Sequence, residues 1–365
     1  MAPTRSTERR RARTGEPGPP PTASRRRAQP SSTNRVRAAS RTADLPLAVW
    51  PCAQRTGQWQ RHGRYVSESN RHPAKMLPEI ARRAISFYSQ PGDLVLDPMC
   101  GIGTTLVEAI HLERRAVGIE LEPRWASLAA KNIVHAREQG ARAQALVLRG
   151  DASRLGRGVL DELAGKVALI LTSPPYANAT LGDPRGGHGI ARARACEGRP
   201  VTAADQAHAS RASRSCRYGP SQASVARLRY GTIEQALAPT LGTGHASRAG
   251  IEESYLSSMA AIYTACARML KPGGYLILVT RNMRANGALR NITGDTIRLC
   301  EHAGLVYQQH ILALLATIRD SQIVPRPSFW QLTHVRRSLA KGEPTQLSCH
   351  EDVLVFQAMS TDRST

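Results

Sequence analysis

Two short loops hold the residue types that could do chemistry. The first, Asp97-Pro98-Met99-Cys100-Gly101-Ile102-Gly103-Thr104-Thr105, follows the apolar residues Leu94 to Leu96 and opens onto a helix-forming stretch. Its two glycines let backbone approach a ligand closely, and the unpaired amides of a helix start favour negative charge. Glu120 ends the next apolar run, where a carboxylate can accept hydrogen bonds from two ribose hydroxyls. Asp151 follows the third run, positioned to hold the amino group of an adenine ring. Loop and acids together describe a pocket for an adenosine with an attached polar chain. A dinucleotide is the rival ligand, but its fingerprint needs a third glycine three residues after Gly103, where Leu106 stands.

The second loop, Ser173-Pro174-Pro175-Tyr176, closes the apolar run Val167 to Leu171. Consecutive prolines fix φ and so fix where the Pro174 carbonyl points. With the Ser173 hydroxyl it offers two acceptors to an exocyclic amino group, whose lone pair is otherwise delocalised into its ring. Tyr176 gives a face on which a base drawn out of its stack could lie.

The elements that must position these loops alternate strand and helix, the pattern of a parallel α/β sheet. Strands are expected at Leu94 to Asp97, Ala116 to Glu120, Ala145 to Arg149 and Val167 to Leu171. Helices are expected around Ile80 to Tyr88, at Thr104 to Leu112, and at Pro123 to Glu138 with Trp125, Leu128, Ala129 and Ile133 inward. After Ala177 to Gly250, which has little periodicity, come a helix from Glu252 to Leu270, a Lys271-Pro272-Gly273-Gly274 turn and a strand Tyr275 to Thr280. A helix Thr293 to Ala303, a strand Leu305 to Ala316, a basic segment Arg319 to Lys341 and a strand Asp352 to Phe356 complete the pattern. Ligands of such sheets bind at the carboxyl ends of the strands, so both loops and both acids converge on one edge.

Four stretches follow: a disordered basic arm over 1–44, a cofactor-binding half over 45–176, a basic low-complexity insertion over 177–250, and a second half over 251–359. A chain of 365 residues with 41% apolar content can bury a real core, and a formal charge of +22 would hold it against a polyanion. Nucleic acid is the expected partner; the charge leaves the oligomeric state open. Seven cysteines without metal-ligand spacing predict neither a disulfide framework nor a metal site. The absence of any apolar run of membrane-spanning length predicts a soluble, cytoplasmic protein, nucleoid-associated if bacterial.

The glycine loop, Gly118-Ile119-Glu120 and Ser173-Pro174-Pro175-Tyr176 together resemble the amino-directed DNA methyltransferases that use S-adenosylmethionine, strongly over His72 to Tyr176 and more loosely over Glu252 to Phe356. The resemblance implies a Rossmann-like methyltransferase fold, with a mostly parallel seven-stranded sheet and helices on both faces. It implies Ser173, Pro174, Pro175 and Tyr176 as the catalytic rim. Asp97, Pro98, Cys100, Gly101, Gly103, Thr104, Thr105, Glu120 and Asp151 would hold the cofactor, with His72-Pro73 near a helix that closes over its methionine end. Serine at the head of the tetrapeptide is commoner in enzymes of cytosine N4 than of adenine N6, which implies cytosine. No separate recognition domain lies between the loops, so 177–250 and Arg319 to Lys341 are left to read the substrate.

Alternatives stay open at this level. The same motifs resemble tRNA guanine-N2 methyltransferases. A nicotinamide oxidoreductase and a nucleic-acid-binding protein that has lost turnover also fit parts of the pattern. Pro51-Cys52 could be taken for the thiolate of a cytosine-C5 mechanism, but it precedes the cofactor loop and no strand is expected to bring it to the sheet edge. His72 fits packing as well as catalysis, and Arg281-Asn282 fits substrate contact as well as a turn cap.

Overall fold

The structure, a computed structural model, describes residues 45–72, 74–155, 160–175, 255–285, 288–327 and 329–359. The expected arm over 1–44, the insertion over 177–250, and Tyr176 and Pro73 lie outside the described residues. One compact unit begins at Ala48. Its elements in chain order are β1 (Val49–Pro51), α1 (Gly57–Arg61), α2 (Pro78–Tyr88), β2 (Leu94–Asp97), α3 (Thr104–His111), β3 (Arg115–Glu120), α4 (Pro123–Glu138), β4 (Ala145–Arg149) and β5 (Val167–Thr172). Then come α5 (Tyr255–Met269), β6 (Leu270–Thr280), β7 (Met283–Ala285), β8 (Ala288–Arg290), α6 (Ile292–His302), β9 (Leu305–Leu314), β10 (Ala316–Arg319), β11 (Gln322–Pro325), α7 (Phe329–Ala340) and β12 (His350–Ala358).

Local chemistry explains many of the boundaries. Proline sits at the first position of α2 and α4, where its missing N–H costs nothing. Asn291 caps α6 by accepting the Gly294 amide at 3.1 Å. The central strand β5 is apolar from Val167 to Leu171 and buried throughout, as a strand covered on both faces must be.

The main sheet runs β1-β9-β12-β6-β5-β2-β3-β4, with β12 antiparallel to both neighbours and every other pair parallel. Successive strand residues point to opposite faces. Leu169, Leu171, Ile277 and Val353 pack with Ile80, Leu106 and Ile133 on one side. Ile170, Leu276, Leu278 and Phe356 pack with Met259, Tyr263 and Leu299 on the other. The Rossmann-like expectation therefore holds. No helix among the described residues is long and apolar enough to cross a membrane.

Three local expectations are corrected and one is refined. An eighth strand, β1, joins the edge of the sheet by parallel pairing of Val49 to Pro51 with Leu312 to Leu314, so Pro51-Cys52 does reach the carboxyl edge on a strand. The Lys271-Pro272-Gly273-Gly274 stretch is an excursion within β6, because Val167 pairs with Leu270 and Leu169 with Tyr275. Trp125 lies on the inner stripe of α4 but is only half-buried, against the His72 ring; Ala126, Leu128, Ala129, Asn132, Ile133 and Ala136 are the fully buried positions. The strand expected to run to Ala316 ends at Leu314, and the basic segment after it is folded as the hairpin β10–β11 and helix α7.

Where β3 meets the glycine loop and α3, the packing leaves no room for a side chain at one position. A Cβ on Gly118 would lie 2.8 Å from both Cys100 Sγ and Leu106 Cδ2. Gly118→Ala is expected to destabilise the chain by about 1–3 kcal/mol, read as a lower urea midpoint with an unchanged slope.

Candidate active site

The glycine loop leaves the carboxyl end of β2, and Ser173 leaves the carboxyl end of β5. The two strands are parallel neighbours, pairing Val95 with Leu169 and Leu96 with Ile170. The loops therefore begin one strand spacing apart, about 5 Å.

Asp97 is buried and organises the first loop. Its Oδ1 accepts the Met99 amide at 3.1 Å, and its Oδ2 accepts the Thr105 hydroxyl at 2.6 Å. That hydroxyl also lies 3.4 Å from the Leu171 carbonyl of β5. Burial pushes the Asp97 carboxyl up to about 6, against the opposing pull of these hydrogen bonds. Pro98, Cys100, Thr104 and Thr105 are likewise buried, and Gly101 alone in the stretch from Asp97 to Thr105 is partly exposed. Burial also raises the Cys100 thiol well above its ordinary range, which removes it as a nucleophile. Gly103 precedes α3 at φ 79°, where its Cβ would come within 3.1 Å of Ala129 Cβ.

Glu120 ends β3 at 1% exposure. One carboxylate oxygen accepts the Gly101 amide at 2.9 Å and the other the Glu122 amide at 2.8 Å. Burial raises its carboxyl to about 7. A carboxylate has about four acceptor sites, and the two amides use two of them. Two hydroxyl donors on neighbouring carbons would fill the rest, so the residue fits a ribose. Asp151 stands beyond β4, exposed, with Oδ1 accepting both the amide and the hydroxyl of Ser153 at 2.9 and 2.8 Å. Its second oxygen makes no hydrogen bond among the described residues and suits an amino donor.

The other rim begins with Ser173, half-buried, then Pro174, buried, and Pro175, half-buried. His72 packs over the glycine loop: a Cβ on Gly101 would lie 3.5 Å from its Nε2, and its ring meets the edge of Trp125 at 4.4 Å between centroids. Burial, with Lys75 nearby, lowers the His72 imidazole to about 3, so it stays neutral. Its place is a packing one. Asn282 accepts the Thr293 amide at 3.0 Å and caps α6 from the end of β6. Cys52 reaches the correct edge but not the site: β9, β12 and β6 separate its strand from β5, and burial pushes its thiol up to about 12.

Several supporting residues carry no motif. Asn132 of α4 donates to the Ile102 carbonyl at 2.8 Å and accepts the Val66 amide at 2.9 Å, tying the segment before His72 to the glycine loop. Glu108 of α3 receives Arg64 at 2.8 and 2.6 Å and the Tyr65 hydroxyl at 2.7 Å. Both are polar residues on otherwise apolar helix stripes, which is the sequence signal that could have marked them.

The raised carboxyls give a pH signature. A group that holds its proton more tightly folded than unfolded stabilises the fold at low pH and loses that contribution as pH rises through its folded value. The ligand-free chain should lose stability between pH 4.5 and 7, and Glu120→Gln should remove a part on the order of 2–3 kcal/mol. Urea midpoints measured across that range, with equal slopes in both proteins, would exclude it.

Sequence comparison is confined to part of the chain. The DNA methylase family of N6 and N4 methyltransferases matches residues 19–131, which include the glycine loop and Glu120. A tRNA (guanine(10)-N2)-dimethyltransferase of Methanocaldococcus jannaschii is 32% identical over 111 residues, 30% of this chain and 31% of that one. The type II methyltransferase M.SmaI of Serratia marcescens is 47% identical over 66 residues, 18% of this chain and 23% of that one. M.BglI of Bacillus subtilis is 40% identical over 68, covering 19% and 20%. The chain thus spans about a third or less of the length of these curated relatives. Among solved structures, TrmN from Thermus thermophilus aligns at TM-score 0.40 and 15% identity over 82% of this chain and 53% of that one. Over residues 19–131, which carry the strand–loop–helix geometry around Asp97 and Glu120, the chain is thus similar to the amino-directed, S-adenosylmethionine-dependent methyltransferases.

Proposed function

We propose that the chain methylates an exocyclic amino group of a nucleobase in DNA, with cytosine N4 as the target. The observation that carries this is the departure of Ser173-Pro174-Pro175 from the strand beside the glycine loop. S-adenosylmethionine supplies an electrophilic methyl on a sulfonium. Gly101, Gly103 and the helix start beyond them, through Thr104 and Thr105, line its polar chain. Glu120 takes the ribose and Asp151 the adenine amino group. Asp97, Pro98 and Cys100 keep the loop in shape, Asp97 by accepting the Met99 amide and the Thr105 hydroxyl.

The substrate nitrogen is prepared by the other rim. The Ser173 hydroxyl and Pro174 carbonyl accept its two hydrogens, which turns the lone pair out of conjugation and toward the methyl. Pro174 and Pro175 keep the acceptors from rotating away, and Tyr176 stacks on the extruded base. After transfer one hydrogen leaves as a proton from a nitrogen that already faces these acceptors, so no thiolate or metal is needed. In this scheme 45–176 and 251–359 are two halves of one domain, and the cation-rich chain holds the polyanion near a pocket that is itself acidic.

A second substrate class has specific support: the matched tRNA guanine-N2 relatives are 32% and 35% identical to this chain over 111 and 106 residues. Serine before Pro-Pro favours cytosine, and labelled methyl transfer to DNA and to RNA, followed by nucleoside mass spectrometry, decides. N4-methylcytosine from DNA is the expected product; N2-methylguanine from RNA would replace the proposal.

The division of labour is separately testable. Glu120→Ala should weaken cofactor binding at least ten-fold, as losing buried hydrogen bonds to a charged acceptor does. Ser173→Ala should leave calorimetric cofactor affinity within about two-fold and lower kcat by roughly ten-fold or more. Equal losses of cofactor affinity in both variants would refute it.

A further inference from the structure

The hairpin β10–β11 lies where a substrate-reading element would have to be. β9 is parallel to the strands that carry the two loops, and β12 is antiparallel to it, so residues 315–349 leave and re-enter the sheet at the same carboxyl edge as Asp97 and Ser173. The base of the hairpin is fixed. Arg326 donates to the carbonyls of Ala53 at 2.9 Å and Gln54 at 3.3 Å, and the Thr317 hydroxyl reaches Gln54 at 3.1 Å. Ala316 and Thr317 are buried.

Beyond that base the ribbon stands in solvent. Ile318 and Ile323 face each other across the strands at 50% and 59% exposure. Arg319 and Gln322 form the next directly opposed pair, so their side chains share the other face at the tip. The connecting residues Asp320 and Ser321 both hold positive φ, 47° and 62°, although neither is glycine. That is the tight two-residue turn whose twist matches the right-handed twist of the flanking strands, obtained here at some local strain. In the helix that follows, Arg336 and Arg337 are exposed, and so is Lys341 after it. None of these cations, nor Arg319, has an ion-pair partner among the described residues, whereas Arg64, Arg82 and Arg298 are each spent on a carboxylate.

A two-stranded ribbon fits the major groove of B-form DNA, which is about 12 Å wide, and is excluded from the narrow major groove of an RNA duplex. Arg matches the acceptor pair of guanine and Gln the acceptor–donor pair of adenine, while exposed isoleucines suit thymine methyls. Resting on the DNA substrate proposed above, we propose that Ile318–Val324 is a reading finger that enters the major groove beside the extruded base. Arg319 and Gln322 address purine edges, and Arg336, Arg337 and Lys341 take flanking phosphates.

The test is selection from random-sequence DNA duplexes by the full chain and its variants, with RNA duplexes of the same design in parallel. The wild type should enrich a purine-containing motif from DNA only. Arg319→Ala with Gln322→Ala should lower that enrichment at adjacent positions about ten-fold or more while affinity for the unselected pool changes little. Arg336→Ala with Arg337→Ala should instead weaken every duplex alike and reduce the salt slope by about 2. No enrichment by the wild type, unchanged enrichment in the tip variant, or equal binding of RNA duplexes would each overturn the finger. Methylated nucleosides scored on the selected duplexes keep the two proposals apart. Tip-dependent selection without methylcytosine removes the proposed reaction alone, and methylcytosine with tip-independent selection removes the finger alone.

Discussion

A single buried carboxyl joins the four pieces of chain on which the candidate site is built. Asp97 receives the Met99 amide and the Thr105 hydroxyl, and that hydroxyl reaches toward the Leu171 carbonyl on the neighbouring strand. Strand end, glycine loop, first helical turn and substrate-side strand are thereby held to one another. The cost is visible in the carboxyl itself, raised to about 6 because burial outweighs the hydrogen bonds. Were Asp97 replaced by an apolar residue, the loop would keep its glycines but lose the bond that sets its distance from Ser173.

Around that joint the charges are arranged in opposition. The chain as a whole is strongly cationic, with a formal charge of +22, yet the residues converging on the sheet edge near the glycine loop are Asp97, Glu120 and Asp151. An acidic pocket suits a sulfonium, whose positive charge is the leaving-group activation itself, and a basic exterior suits a polyanion. Separating the two in space matters because phosphate drawn into the pocket would compete for the helix start beyond Gly103. Neutral His72, packed between the loop and Trp125, adds no cation there.

Much of the site was legible in the sequence because chemistry and local geometry constrain the same residues. A strand, a glycine loop and a helix are contiguous, so Asp97 to Thr105, Glu120 and the strand before Ser173 could be placed without tertiary information. Asn132 and Glu108 could not, since their partners Val66, Ile102, Arg64 and Tyr65 lie far away in the chain or on another element. β1 was missed because three residues ending in proline make a strand only when β9 supplies the pairing. The hairpin β10–β11 was missed because Asp320-Ser321 lacks the glycine or asparagine that ordinarily marks such a turn.

The antiparallel strand decides where the chain can add recognition. In an all-parallel sheet every connection must cross from the carboxyl edge to the amino edge, so a segment between two strands visits the site only in passing. Here β9 ends and β12 begins at the same edge, and nothing between them has to return across the sheet. Residues 315–349 can therefore vary in length and character without altering the register of β9, β12 or β6, which is set by Val353, Leu354 and Val355 inside the two cores. Ser173 leaves the sheet at that edge too, so the segment after β9 departs from the same side as the glycine loop and the Ser173 rim.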